Sequence, residues 1–204
     1  MRIGLDFDNT IVSYDALFHR AARDKALIPE GIAQSKLAVR DYLRQVGRED
    51  DWTELQGHVY GARMAEADAY PGATEFMREA IRRGAELAIV SHKTRYPFRG
   101  PRHDLHEAAR AWVDMRLVAA GLIDPQQVFF ELTKDAKLQR VAAAACDYFV
   151  DDLPEILLAP AFPSQTVGIL FDPDGAHAGQ DGPLRFTSWS SIARHFGALW
   201  TSSN

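Results

Sequence analysis

Short apolar runs recur along the chain at residues 2–7, 86–91, 127–130, 147–151 and 166–170, with helical spacing between most of them. Runs of this length read as buried strands, and strands alternating with helices predict a parallel sheet covered on both faces. Helical spacing is clearest from Thr74 to Arg83, Leu105 to Ala120 and Thr133 to Ala145, with Thr133 placed as an N-cap. The expected fold is α/β, with a Rossmann-like three-layer α/β/α core around a central parallel sheet.

Between the first strand and Pro71-Gly72 lie about 60 residues that read only as helix, over 15–26, 35–46 and 52–67. A crossover between parallel strands needs a single helix, so the excess predicts a small all-helical cap over the carboxyl edge of the sheet. The expected division is a core of residues 1–13 and 71–204 and a cap of residues 14–70. Two prolines and a glycine in residues 95–103 exclude a regular element there and leave a basic, aromatic loop after the second strand. A similar loop, Asp172 to Pro183, follows the fifth strand.

The acids at the strand ends change the picture. Asp6 and Asp8 close the first apolar run and Asp151-Asp152 close the fourth. Folding has no need of carboxylates in such places, whereas open α/β sheets bind ligands at the carboxyl ends of their strands. Two strands of this kind side by side would form an oxygen-lined site suited to Mg²⁺. An aspartate can also attack phosphorus, dividing one difficult displacement into two easier ones. Such a reaction needs a metal, an opposing cation and neutral donors to the phosphoryl oxygens. Ser91, ending the second strand, is a candidate donor, and Lys137 or Lys134 a candidate cation. Thr10, Ser91, His92, Arg95 and Arg99 are the candidate substrate-binding residues.

Composition narrows the partners. The chain has 204 residues, 47% of them hydrophobic and 25% charged, enough for a full core. A formal net charge of -5 gives no support to nucleic-acid binding. Cys146 is the sole cysteine, which excludes an intrachain disulfide and a thiolate cluster and suggests a small buried hydrophobe. The sequence shows no leader pattern and no apolar stretch of bilayer length, so a cytoplasmic protein without membrane contact is expected. The cap or the tail after Trp200 could pair chains, which makes a homodimer a candidate assembly.

The order of DFDNT at the first strand, a serine ending the second, a lysine on a following helix and an acidic pair after an apolar strand resembles the haloacid dehalogenase superfamily, specifically its aspartate-nucleophile phosphatases. The resemblance covers the whole chain and four motifs in order. It implies a Mg²⁺-dependent phosphohydrolase with a Rossmann-like core and a helical cap after the first motif. Position by position, Asp6 matches the nucleophile, Asp8 the general acid/base whose carbonyl also ligates the metal, and Ser91 the phosphate-binding hydroxyl. Asp152 and Asp151 match the metal acids. Lys137 is preferred over Lys134 because its short span to Asp151-Asp152 is similar to that in the family's deoxyribonucleotidase-like members. Leu184 to Phe196, with Ser188-Trp189 opening a final helix, also resembles those members. The acid at Asp8 favours phosphoryl transfer over dehalogenation, since members that act on carbon–halogen bonds lack it.

The expected function is removal of phosphate from a small phosphorylated metabolite, a sugar phosphate or a nucleotide, through an aspartyl-phosphate. A phosphotransferase or phosphomutase shares the first half-reaction and stays open, as does a non-catalytic module that binds a phosphorylated ligand. Metal-dependent glycosyl transfer also uses an Asp-x-Asp motif, but only five residues precede Asp6. Response-regulator receivers carry similar acids, hydroxyl and lysine, but their phosphorylated aspartate ends the third strand.

Overall fold

All five expected apolar runs are strands of one parallel sheet in the computed structural model, which describes residues 1–179 and 182–202. The strands are β1 (Arg2–Leu5), β2 (Val12–Ser13), β3 (Asp68–Ala69), β4 (Glu86–His92), β5 (Val128–Glu131), β6 (Tyr148–Asp151), β7 (Val167–Phe171) and β8 (Leu184–Phe186). The helices are α1 (Asp15–Asp24), α2 (Lys36–Gln45), α3 (Glu49–Tyr60), α4 (Ala73–Arg82), α5 (Leu105–Val113), α6 (Lys134–Ala143), α7 (Pro154–Leu157) and α8 (Trp189–Ser202). The chain divides into two compact units, one formed by Met1–Val12, Ala69–His92 and the chain from Leu117 onward, the other by Ser13–Asp68 and Lys93–Arg116.

The first unit holds a six-stranded sheet in the order β5-β4-β1-β6-β7-β8, with every pair parallel. Alternate side chains serve opposite faces, as strand geometry requires. Ala88, Val90, Phe149 and Leu170 pack with Leu138 and Val141 of α6 and Ile156 and Leu157 of α7. On the other face, Phe171 and Tyr148 meet an aromatic cluster of Phe76 from α4 and Trp189, Phe196 and Trp200 from α8. The result is the expected Rossmann-like three-layer core. Gly4 of β1 faces the Phe149 ring so closely that a Cβ there would lie 2.5 Å from it, which is why this central strand has a glycine. Cys146 is buried beside it, and burial pushes its thiol up to about 11.

Strands β2 and β3, which pair at the two ends of the stretch expected to be all helix, were not expected, and neither was β8. It has three residues, with Leu184 and Arg185 exposed, and an edge strand this short and polar leaves no apolar run to read. Residues 95–103 are irregular, as expected. So are the described residues of the 172–183 loop; Gln180 and Asp181 of that loop and Ser203-Asn204 of the tail lie outside the described residues.

The second unit is built from α1, α2, α3 and α5. Leu17, Phe18, Ala21 and Ala22 of α1, Val39 and Leu43 of α2, and Trp52, Leu55 and Val59 of α3 are buried. This unit differs from the expected 14–70 cap because it also takes in Lys93–Arg116. Trp112 of α5 is buried, and its Nε1 donates to the Ala67 carbonyl at 2.9 Å. Gly57 and Gly61 let the 95–103 loop approach closely: a Cβ would lie 2.6 Å from Pro97 at the first and 2.5 Å from His103 at the second. Spacing alone could place a helix over 105–120 but not say which layer would bury it. That helix also ends at Val113 and widens into a π-helical turn over Asp114–Val118. No helix among the described residues is long and apolar enough to cross a membrane.

Trp189 ties the last helix to the acidic loop after β1, because its Nε1 donates to the carbonyl of Thr10 at 2.9 Å inside the core. Trp189→Phe should fill most of the space but leave that buried carbonyl unpaired. The expected loss is about 1–3 kcal/mol in denaturant unfolding. An unchanged midpoint would show that another group takes over the carbonyl.

Candidate active site

The sheet order explains where the acids meet. From β1 the chain moves outward through β4 to β5, then returns to β6 on the other side of β1. In open parallel sheets the crevice at such a reversal is where ligands bind. Asp6 and Asp8 follow β1, Asp151 and Asp152 lie at the end of β6, and Ser91 and His92 close β4. The Asp6 N–H donates to the Val150 carbonyl at 2.8 Å, extending the β1–β6 ladder by one step and setting Asp6 beside the second acidic pair.

After Asp6 the backbone curls back on itself. Asn9 takes a left-handed conformation at φ 57°, which Asn tolerates better than most residues. The N–H groups of Ile11 and Val12 both donate to the Phe7 carbonyl, at 3.1 and 3.0 Å. This turn carries Thr10 under the acids, fully buried, with its Oγ1 donating to Asp6 Oδ2 at 3.2 Å and standing 3.5 Å from Asp152 Oδ1. Thr10, a candidate for substrate binding, is therefore placed to orient Asp6.

Thr133 caps α6, as expected, by accepting from Ala136 N at 3.1 Å. One turn into that helix, Lys137 is 1% exposed and reaches Asp6 Oδ1 and Asp151 Oδ2, each at 2.6 Å. Lys134 is half exposed and pairs with Glu155. The structure thus brings Lys137, and not Lys134, to the acids. Asp151 is fully buried, and its Oδ1 accepts from Leu153 N at 2.9 Å.

Asp6, Asp8, Asn9, Ser91, His92, Asp152 and Leu153 line a cleft of about 70 Å³. Asp6, Asp151 and Asp152 each offer a carboxylate oxygen, and these atoms lie within 4.8 Å of one another. One ammonium, Lys137, faces this group. Burial, reinforced by Asp6 and opposed by Lys137, pushes the Asp151 carboxyl up to about 7. Burial alone would lower the Lys137 ammonium, but Asp151 and Asp6 outweigh it and raise its pKa. Burial, followed by the charge of Lys137, holds the His92 imidazole below its ordinary range. A compact set of hard oxygens with more negative charge than one ammonium offsets fits Mg²⁺ or a similar cation.

Arg95 and Arg99 belong to the second unit, where each pairs with an acid. Arg95 meets Asp104 at 2.8 Å and Arg99 meets Asp50 at 3.1 Å, with both arginine side chains more than half exposed. The positioning roles of Asn9, Trp189 and the Leu153 N–H had no separate signal in the sequence, apart from an Asn able to turn the chain directly after Asp8.

No protein-family model matches this chain, and no curated protein matches it by sequence. Solved structures do match it over almost its whole length. A HAD-superfamily hydrolase from Ehrlichia chaffeensis aligns at 14% identity, covering 97% of this chain and 96% of its own, with a TM-score of 0.59. A predicted phosphatase from Clostridium acetobutylicum aligns at 12% identity over 97% and 98%, with a TM-score of 0.60. A HAD family hydrolase from Deinococcus radiodurans R1, solved with bound phosphate and sodium, aligns at 17% identity over 98% and 96%, with a TM-score of 0.57. The chain has the fold of these hydrolases.

Proposed function

We propose that this chain is a Mg²⁺-dependent phosphohydrolase of the HAD superfamily that removes phosphate from a small phosphorylated metabolite, a sugar phosphate or a nucleotide, by way of an aspartyl-phosphate on Asp6. The observation that carries this reading is the setting of Asp6. The residue is buried, its carboxylate fixed on one oxygen by the buried Lys137 and on the other by Thr10, and it still lines an open cleft beside Asp8, Ser91 and Asp152. A carboxylate needed only for folding would not be oriented at both oxygens and left facing a cavity. The phosphate bound in the Deinococcus structure supports the same reading.

The volume also fits. Pockets for whole drug-sized ligands run to about 300–1,000 Å³, whereas this cleft of about 70 Å³ suits the transferred group alone. In the proposed reaction an Asp6 oxygen bonds to phosphorus while the ester P–O bond breaks and Asp8 gives its proton to the leaving oxygen. Water then attacks phosphorus, Asp8 takes its proton, and inorganic phosphate leaves Asp6 free. Ser91 donates to a phosphoryl oxygen. Lys137 holds Asp6 in place and offsets the negative charge that gathers around it. Asp6, Asp152, Asp151 and the Asp8 carbonyl would hold Mg²⁺, which when bound offsets the negative charge shared by carboxylates and phosphate. The helical unit is read as the cap, with Arg95 and Arg99 as candidates for selecting the leaving group.

Phosphate release should be followed across sugar phosphates, nucleoside monophosphates and an aryl phosphate, with an added alcohol to reveal phosphoryl transfer in place of hydrolysis. Release that needs Mg²⁺ is expected, and Ca²⁺ should inhibit because its looser coordination misplaces nucleophile and phosphate. Mg²⁺ should also raise the thermal midpoint, by an amount equivalent to about 2.7 kcal/mol at a hundred times its Kd, and this gain should be largely lost in Asp152→Asn. Equal stabilisation of both proteins would remove Asp152 from the metal site.

A further inference from the structure

His92 lines the cleft, and the reaction proposed so far supplies no chemistry for its side chain. It follows Ser91 on β4, is half-buried, and lines the same cavity as Asp6 and Asp8. Its Nδ1 is buried without a hydrogen-bond partner among the described residues. Buried polar atoms are nearly always paired, so a partner would be expected nearby. The neighbouring strand does not offer one. His92 pairs in register with Glu131 of β5, and that carboxylate is engaged by Arg140 at 2.8 Å.

The orphaned nitrogen settles which tautomer costs least. A buried N–H without an acceptor is the rarer and costlier defect, while an unused lone pair is better tolerated. The proton therefore belongs on Nε2. Nδ1 is closed off, so a ring N–H offered to the cleft has to come from Nε2. His92 shares this small cleft with Asp6 and Ser91, so a donor on its ring stands beside the group that Asp6 would attack.

We propose that His92, as its Nε2–H tautomer, donates a hydrogen bond to a non-bridging oxygen of the transferred phosphoryl group, and so serves as a neutral catalytic residue beside Ser91. This rests on the phosphohydrolase reading and adds to it a residue that recognises the phosphoryl group whatever the leaving group. A neutral donor strengthens as charge builds on that oxygen and, unlike a second ammonium, adds no competition for the carboxylates that would hold the metal.

The test compares wild type with His92→Phe, which keeps a planar ring without a donor, and His92→Gln, which keeps an N–H. His92→Phe should lose about 100-fold in kcat/KM, the scale of one missing oxyanion donor, by the same factor for alkyl and aryl phosphates. Orthovanadate inhibition should weaken by a similar factor, more than inhibition by inorganic phosphate, and His92→Gln should recover part of both. In wild type, the His92 ring ¹⁵N signals should report protonated Nε2 and move on addition of inorganic phosphate, a result that does not depend on the variants folding. Unchanged kinetics and ring signals in an enzyme that releases phosphate would overturn the role of His92 alone, as would a loss confined to one leaving group. A wild-type protein that neither releases phosphate nor binds phosphate or vanadate would overturn the underlying reading and this inference with it.

Discussion

Asp6→Asn should abolish phosphate release while leaving the protein folded. The substitution keeps size and shape but replaces the attacking carboxylate with an amide, and loss of an activated nucleophile can cost on the order of 10⁶-fold in turnover. Stability should change by about 1 kcal/mol or less, because two effects oppose each other. Asp6 gives up its pairing with Lys137 at 2.6 Å, yet Asp151 keeps its own contact with the same ammonium and no longer faces a second buried carboxylate. Phosphate assays and urea melts on the same preparation would separate the two effects. Retained turnover in a folded Asp6→Asn protein would sink the covalent mechanism.

Lys137→Met should do the reverse and damage the fold as well as the reaction. It removes the ammonium between two carboxylates that are 4% and 0% exposed and leaves both uncompensated in the core. Breaking a buried pair in this way typically costs about 3–5 kcal/mol, a large part of the stability of a domain. Adding Asp151→Asn to Lys137→Met should return much of the loss, since the amide keeps its acceptor for Leu153 N but carries no charge. Lys134→Met is the control, because that side chain is half exposed with a surface partner, and it should stay within about 0.5 kcal/mol of wild type with turnover intact. A shift below about 1 kcal/mol for Lys137→Met would mean that water or rearrangement relieves the two acids and that the buried pairs do not hold the site.

The sheet was legible because its five longer strands are buried on both faces and so read as continuous apolar runs bounded by turns. Strand β8 has no such face and left no signal. Asp6, Asp8, Asp151 and Asp152 were legible because acids at the ends of apolar runs conflict with local folding preference, and such conflicts gather at functional sites. The span to Asp151-Asp152 favoured Lys137 over Lys134 only through a resemblance; what separates the two physically is which one is buried, a property of packing. Thr10 shows the same limit from the other side. The left-handed turn at Asn9 folds the Thr10 hydroxyl under Asp6, a placement that spacing does not reveal. The 95–103 loop was recognisable as irregular, while its packing on α3 depends on the small size of Gly57 and Gly61, which spacing does not reveal.

Because the helical unit is woven from two separate segments, Ser13–Asp68 and Lys93–Arg116, it cannot be lifted out or exchanged as one continuous cassette. Deleting only the first segment would strip Trp112 of its Ala67 acceptor and remove α3, against which the apolar α5 packs. A protein trimmed in that way would carry a sticky apolar helix and would be expected to aggregate, whatever the state of its acids. A minimal version needs two excisions and two new joints. The first is favourable, since Tyr70 N already donates to the Ile11 carbonyl at 2.8 Å, so the chain ends on either side of that cut are neighbours.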